Sequence, residues 1–205
     1  MISPADKLSS IIADMSGSLY QSLTNQFLIA MPHLEDSYFS RTVTLICQHD
    51  ENGALGVVVN RTLESLSMSD VLREFNLGEP TSAHLSNTPI HVGGPVHNEL
   101  GLVLHKDLGR WRSTLQVGTQ LGLTSSRDAL EAISKSDGSD DCLLVLGYAG
   151  WGAGQLDFEI QQNSWLNVPA DPRIIFDVDV EQRWAEAVAS LGINIATLTR
   201  DFGRA

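Results

Sequence analysis

The sequence predicts a mixed α/β (α+β) fold, a three-layer sandwich around a mixed sheet with a smaller inserted α+β portion. Three observations carry that prediction. Short apolar runs bounded by turn residues recur from Phe27 onward. Helical periods lie between them, which favours helices packed on a sheet over an all-β or all-α chain. Several of the runs are apolar without alternation, as strands buried on both faces are.

The first 20 residues read as an amphipathic helical extension. Leu8, Ile11, Ile12 and Met15 fall at i, i+3, i+4 and i+7 on one helical face. Ser3 is the candidate N-cap, Pro4 suits the first helical position, Asp6 can complete a capping box and Gly17 ends the period. Residues 21–205 then form one domain, within which the strand-rich stretch of about residues 85–120 can be a small inserted subdomain.

Expected strands are Phe27–Met31, Val43–Cys47, Leu55–Asn60, Ile90–Val92, Leu102–His105, Cys142–Leu146, Trp165–Val168 and Arg173–Phe176. Met68, Val71, Leu72 and Phe75 mark a helix opened by Ser67, with Asp70 three residues on. Ala129, Leu130 and Ile133 mark a second, opened by Ser125 and Asp128. Val180, Trp184, Ala187, Val188 and Leu191 mark the longest, between Asp179 and Gly192. The stretches 78–87 and 136–141 read as surface loops.

The 205 residues carry 13 Lys+Arg against 25 Asp+Glu, a net charge of −12. That balance disfavours direct nucleic-acid binding, which usually needs a basic face. Cys47 and Cys142 sit in apolar runs and read as free buried thiols. No run approaches the roughly 18 consecutive apolar residues of a membrane span. The N-terminus lacks a basic region followed by an apolar core, so no secretory signal is expected. The expected location is the cytoplasm.

The most unusual local feature is Gly147-Tyr148-Ala149-Gly150-Trp151-Gly152-Ala153-Gly154-Gln155. An apolar run precedes it and a helical segment, Gln155–Gln162, follows. Strand, glycine-rich turn and helix can aim backbone N–H groups at an anion. The same residues equally suit a tight connection in which glycine permits close backbone packing around Trp151. Asn60-Arg61 and Gly93-Gly94-Pro95 also follow apolar runs. Ligands collect beyond strand ends in open α/β sheets, so these segments either share a crevice or form separate turns.

No metal or cofactor is expected. The six histidines, His33, His49, His84, His91, His97 and His105, show no metal-ligand spacing, and Cys47 with His49 is too small a set. No nucleophile elbow occurs, and nothing in the sequence around either cysteine would lower a thiol pKa. Asp157 and Glu159 would point to different helix faces. Lys106, Arg110 and Arg112 around Trp111 suit a solvated turn better than a nucleic-acid contact.

In order and wording, the motifs resemble the bacterial YqgE/AlgH-like family of small cytosolic proteins. The matching stretches are Phe27 to Pro32, Gly53 to Arg61, Gly93-Gly94-Pro95-Val96, Leu104-His105, Gly147 to Leu156, Glu159, Asn163-Ser164-Trp165 and Phe176-Asp177. The resemblance covers about residues 24–205. It implies a compact α/β sandwich with a smaller α+β portion. Members are often labelled transcriptional regulators through a reported link to alginate regulation, but the resemblance carries over no activity, cofactor or catalytic residue.

The signature positions are therefore binding-site candidates: Asn60, Arg61, Gly93, Gly94, Pro95, His105, Gly150, Trp151, Gly152, Gly154, Gln155 and Glu159. The expected function is that of a non-enzymatic regulatory or adaptor protein holding a small ligand or protein partner. In that reading Arg61 and the amides near Gly152–Gln155 hold an anion. The alternatives are a hydrolase or nucleotide-processing enzyme using His105 and Glu159 as acid and base, and a DNA-binding regulator disfavoured by charge.

Overall fold

The computed structural model describes residues 21–31, 38–106, 108, 111, 113–135 and 141–192, with the backbone alone at His84. The expected N-terminal helix, His33, most of the 136–141 loop, Arg110 and Arg112 lie outside the described residues.

Ten strands form one curled sheet. They are β1 (Gln26–Ala30), β2 (Val43–Asp50), β3 (Gly53–Val58), β4 (Thr62–Leu63), β5 (Ile90–Val92), β6 (Val96–His105), β7 (Thr114–Val117), β8 (Leu121–Thr124), β9 (Cys142–Gly152) and β10 (Trp165–Pro169). The main path runs β10-β1-β2-β3-β9-β6-β8-β7, and β4 joins through β5. Pairing is antiparallel except between β5 and β9, so the sheet is mixed. The far end curls back until β7 meets β2.

Alternation along the strands sorts side chains between two faces. Phe27, Ile29, Val43, Leu45, Leu102, Leu104 and Val145 point inward. They are covered by α5 (Pro172–Phe176) and α6 (Arg183–Ser190) through Ile174, Ile175, Ala187 and Val188. On the other face, Ile90, Val103 and Leu144 meet α1 (Met68–Glu74), α2 (Ala83–Ser86) and α3 (Arg127–Lys135). Leu28, Ala30, Ile46, Ala149 and Trp151 share that second face and meet α4 (Gln155–Gln161). Helices on both sides of the sheet give the three layers the sequence predicts.

Strand β9 joins the two halves of the sheet. Leu144 faces outward at an even position, whereas Ala149 and Trp151 face outward at odd ones. Gly147, at φ +69°, inserts the one-residue change of phase that a β-bulge supplies. The strand therefore continues to Gly152 instead of ending at Leu146, which corrects the expected glycine-rich turn. Only Ala153 and Gly154 remain between β9 and α4.

A second correction concerns residues 173–176, expected as a strand and found in α5. Asp171 caps this helix by accepting from Arg173 N at 2.9 Å, and Pro172 occupies its first turn. Proline fixes a helical φ at that position, and a run of three apolar residues, Ile174-Ile175-Phe176, has no period of its own to oppose it. The α1 reading holds in detail, since Ser67 and Asp70 form both halves of a capping box.

Candidate functional site

The twelve candidate residues do not converge. They lie at three stations along β9, whose length from Cys142 to Gly152 is a contour of about 30 Å.

His105 occupies the first station. It pairs with Cys142 at the start of β9 and with Gly122 on β8. Its ring is 1% exposed and meets Trp111 edge-on, at 4.4 Å between centroids. A Cβ at Gly122 would stand 2.6 Å from the His105 ring, so that glycine makes room for the imidazole.

At the second station, residues 93–95 cross over the middle of β9. Gly93 N donates to Leu146 O at 2.8 Å, and Gly93 O accepts from Val58 N at 2.9 Å. A Cβ on Gly93 would lie 2.2 Å from Gly147 O, and one on Gly94 would lie 2.3 Å from the Tyr148 carbonyl carbon. Backbone contact of that closeness requires glycine. Pro95 is exposed.

Asn60 and Arg61 stand beside this crossing, where Arg61 O accepts from Val92 N at 3.0 Å. Asn60 ties two strand ends together: its Oδ1 accepts from Val43 N at 2.7 Å and its Nδ2 donates to Arg41 O at 2.9 Å. Arg61 Nη2 donates to Ser40 O at 3.0 Å. Both residues line a cleft of about 600 Å3, with Tyr38, Thr62 and Val92 on the sheet side and Val180 and Glu181 opposite.

The third station is the junction of β9 with α4. Glu159 Oε2 accepts from the indole N–H of Trp151 at 2.9 Å and of Trp165 at 2.8 Å. Its Oε1 accepts from Gln155 Nε2 at 2.9 Å. Gln155 Oε1 in turn accepts from Gly152 N at 3.0 Å, so that amide already has its acceptor. Gly154, at φ +69°, turns the chain into α4, and Gly150 and Gly152 are exposed on β9. Asp157 points the other way, to His49 Nε2 at 3.4 Å, as its spacing from Glu159 predicts.

Distances along the sheet separate groups that the sequence reading combined. Gly53 at the start of β3 pairs with Gly152, while Arg61 follows the opposite end of that strand. Arg61 and the Gly152–Gln155 amides therefore do not hold one anion together. His105 and Glu159 lie at opposite ends of β9 and form no acid–base pair.

Two functional-looking residues escaped the sequence reading. Arg183 is 5% exposed and donates through Nε to Val178 O at 3.0 Å and through Nη1 to Val59 O. Nη1 also lies 3.2 Å from His91 Nε2, which must accept because a guanidinium only donates. Burial first, then the charge of Arg183, pulls His91 from 6.5 down to about 4. Burial brings Arg183 itself down to about 10, opposed by Asp179 and Glu181. A signal existed: Arg183 follows Val180 by three and precedes Ala187 by four, on the apolar face of its helix. Arg183 thereby fixes the Val180–Glu181 wall of the cleft against the end of β3.

Both cysteines are free, and burial pushes the Cys47 thiol up to about 12. Among the described residues no cluster of three or more His, Cys, Asp or Glu side chains could hold a metal ion.

A family model described as AlgH-like matches residues 27–196. A UPF0301 protein of Xanthomonas campestris pv. campestris is 48% identical over 183 residues, 89% of this chain and 96% of the relative. One from Methylococcus capsulatus is 48% identical over 181 residues, covering 88% and 95%. The solution structure of the AlgH protein from Pseudomonas aeruginosa matches with a TM-score of 0.73 at 42% identity, covering 92% of this chain and 98% of that one. A crystal structure from Corynebacterium diphtheriae, at 21% identity and a TM-score of 0.65, shares the fold.

Proposed function

The chain belongs to the AlgH-like family, and within it we propose a non-enzymatic regulatory or adaptor protein whose ligand cleft is the one at Asn60 and Arg61. One observation carries this reading. Of the three stations along β9, this is where a candidate cation borders a cleft large enough for a small molecule.

The ligand is read as a small molecule bearing a carboxylate or phosphate. A guanidinium presents five donors in a planar fork, so it can hold an oxyanion beside its bond to Ser40 O. Val92 and Val180 supply apolar contact, and Glu181 accepts from a hydroxyl or amine on the same ligand. Arg183 acts from behind, positioning the Val180–Glu181 wall. A cytoplasmic location is supported by the two free thiols.

Calorimetric titration of wild type and Arg61→Ala with phosphate, dicarboxylates and nucleoside phosphates tests the proposal. At least one anion should bind wild type and lose tenfold or more in affinity in the variant. An Arg61→Ala protein that binds every such ligand as well as wild type sinks it, as does a wild type that binds none.

A further inference from the structure

A second concave surface lies on the other half of the sheet, and it owes its shape to an irregularity in β6. Pairing of β6 with β9 jumps from Val96↔Tyr148 to Gly101↔Leu146. His97, Asn98, Glu99 and Leu100 therefore stand opposite Gly147 alone and bulge out of a central strand, with His97 at φ +49°. Large bulges re-aim side chains next to functional surfaces. Here the arch makes one wall of a groove of about 620 Å3 whose other wall is α1.

The floor is apolar: Leu66, Val71, Phe75 and Leu146. Phe75 reaches over Gly101, where a Cβ would come within 3.4 Å of its ring. Leu100, 37% exposed, adds apolar surface on the arch. Among the described residues Asp70, Glu74 and Glu99 line the groove with a single cation, Arg73, which is paired to Asp70 and Glu79. Glu99 is 77% exposed.

We propose that this groove docks a basic amphipathic helix of a partner protein, its apolar side chains on the Leu66–Phe75–Leu146 floor and its Lys or Arg side chains against Glu74 and Glu99. An open apolar trough suits the helix-in-groove mode, in which anchors one turn apart fill the floor. The rim selects the partner's charge. Nucleic acid and anionic lipid are repelled by it, and a second copy of this chain brings the same −12. The proposal is independent of the Arg61 cleft.

The probe is a synthetic 18-residue Leu/Lys peptide with leucines at helical i, i+3, i+4 spacing, compared with a scrambled peptide of identical composition. Fluorescence polarisation at physiological salt measures binding to wild type, Arg61→Ala and the double variant Glu74→Lys/Glu99→Lys. Both glutamates are exposed, and circular dichroism checks that the variant folds. The amphipathic peptide should bind wild type and Arg61→Ala alike, at least tenfold tighter than the scrambled one. It should lose tenfold or more in the double variant. Amide resonance shifts on binding should fall in α1 and residues 97–101.

Equal affinity for the two peptides reduces the effect to net charge and overturns the proposal. So do unchanged binding by the double variant, or shifts elsewhere on the molecule. A concentration-dependent dimer of wild type abolished by the same charge reversal would assign the groove to a second copy instead.

Discussion

Glu159 receives hydrogen bonds from two indole nitrogens and one amide, and no other candidate residue gathers so many side chains. Trp151 comes from β9, before α4 in the chain, and Trp165 from β10, after it, so one carboxylate fixes the helix to both strands. Phe39 closes the cluster edge-on against Trp165, at 5.4 Å between centroids. Glu159→Ala would leave two indole donors without their acceptor, at a cost of ~2 kcal/mol. Glu159→Gln keeps an acceptor and should lose less. Urea denaturation of both variants provides the check, and a loss in Glu159→Ala below ~0.5 kcal/mol would remove the clamp as a stabilising feature. The residue was legible in the sequence as a signature position. Its role was not, because nothing in a one-dimensional chain says that Trp151 and Trp165 meet edge-on, at 6.1 Å between centroids, over one carboxylate.

Elements in this fold meet through buried polar ties as well as apolar faces. Arg183 joins α6 to the carbonyl of Val59 and to His91 on β5. This tie makes stability depend on pH. His91 is held neutral down to about 4 by burial and then by Arg183, whereas the unfolded imidazole titrates near 6.5. The unfolded chain therefore binds a proton that the folded chain refuses between those values. The contribution of His91 is complete above about 6.5, declines as pH falls toward 4 and changes no further below. Relative to His91→Gln, which keeps an acceptor for Arg183, wild type should lose on the order of 2 kcal/mol between pH 7 and 4.5. Parallel denaturation curves for the two proteins would contradict the tie. At this scale the sequence predicted α1, α3, α4 and most strands from period and caps. It missed β4, β7 and β8, whose two to four residues each carry too little pattern, and it read 78–87 as a surface loop where α2 forms and buries Leu85.

The whole molecule sets an acidic surface around a curled sheet. A net charge of −12 opposes phosphate contact at long range, so a DNA duplex should show no retardation at physiological salt. A shift with the steep salt dependence of counterion release would reverse that expectation. The same charge gives the acidic groove its choice of a basic partner, while the described lining of the Arg61 cleft carries one guanidinium and one carboxylate, Glu181. Composition, apolar runs, caps and the glycine-rich signature were enough to determine the layered α/β class and the family, because these depend on local periodicity and short-range chemistry. Only the tertiary structure decided which signature residues meet. Gly147 changes the phase of β9 and lets one strand cross both halves of the sheet, spreading His105, Gly93 and Glu159 along about 30 Å. Strand order and register are long-range pairings, and they separate residues that look equivalent when each is read only as the end of its own strand.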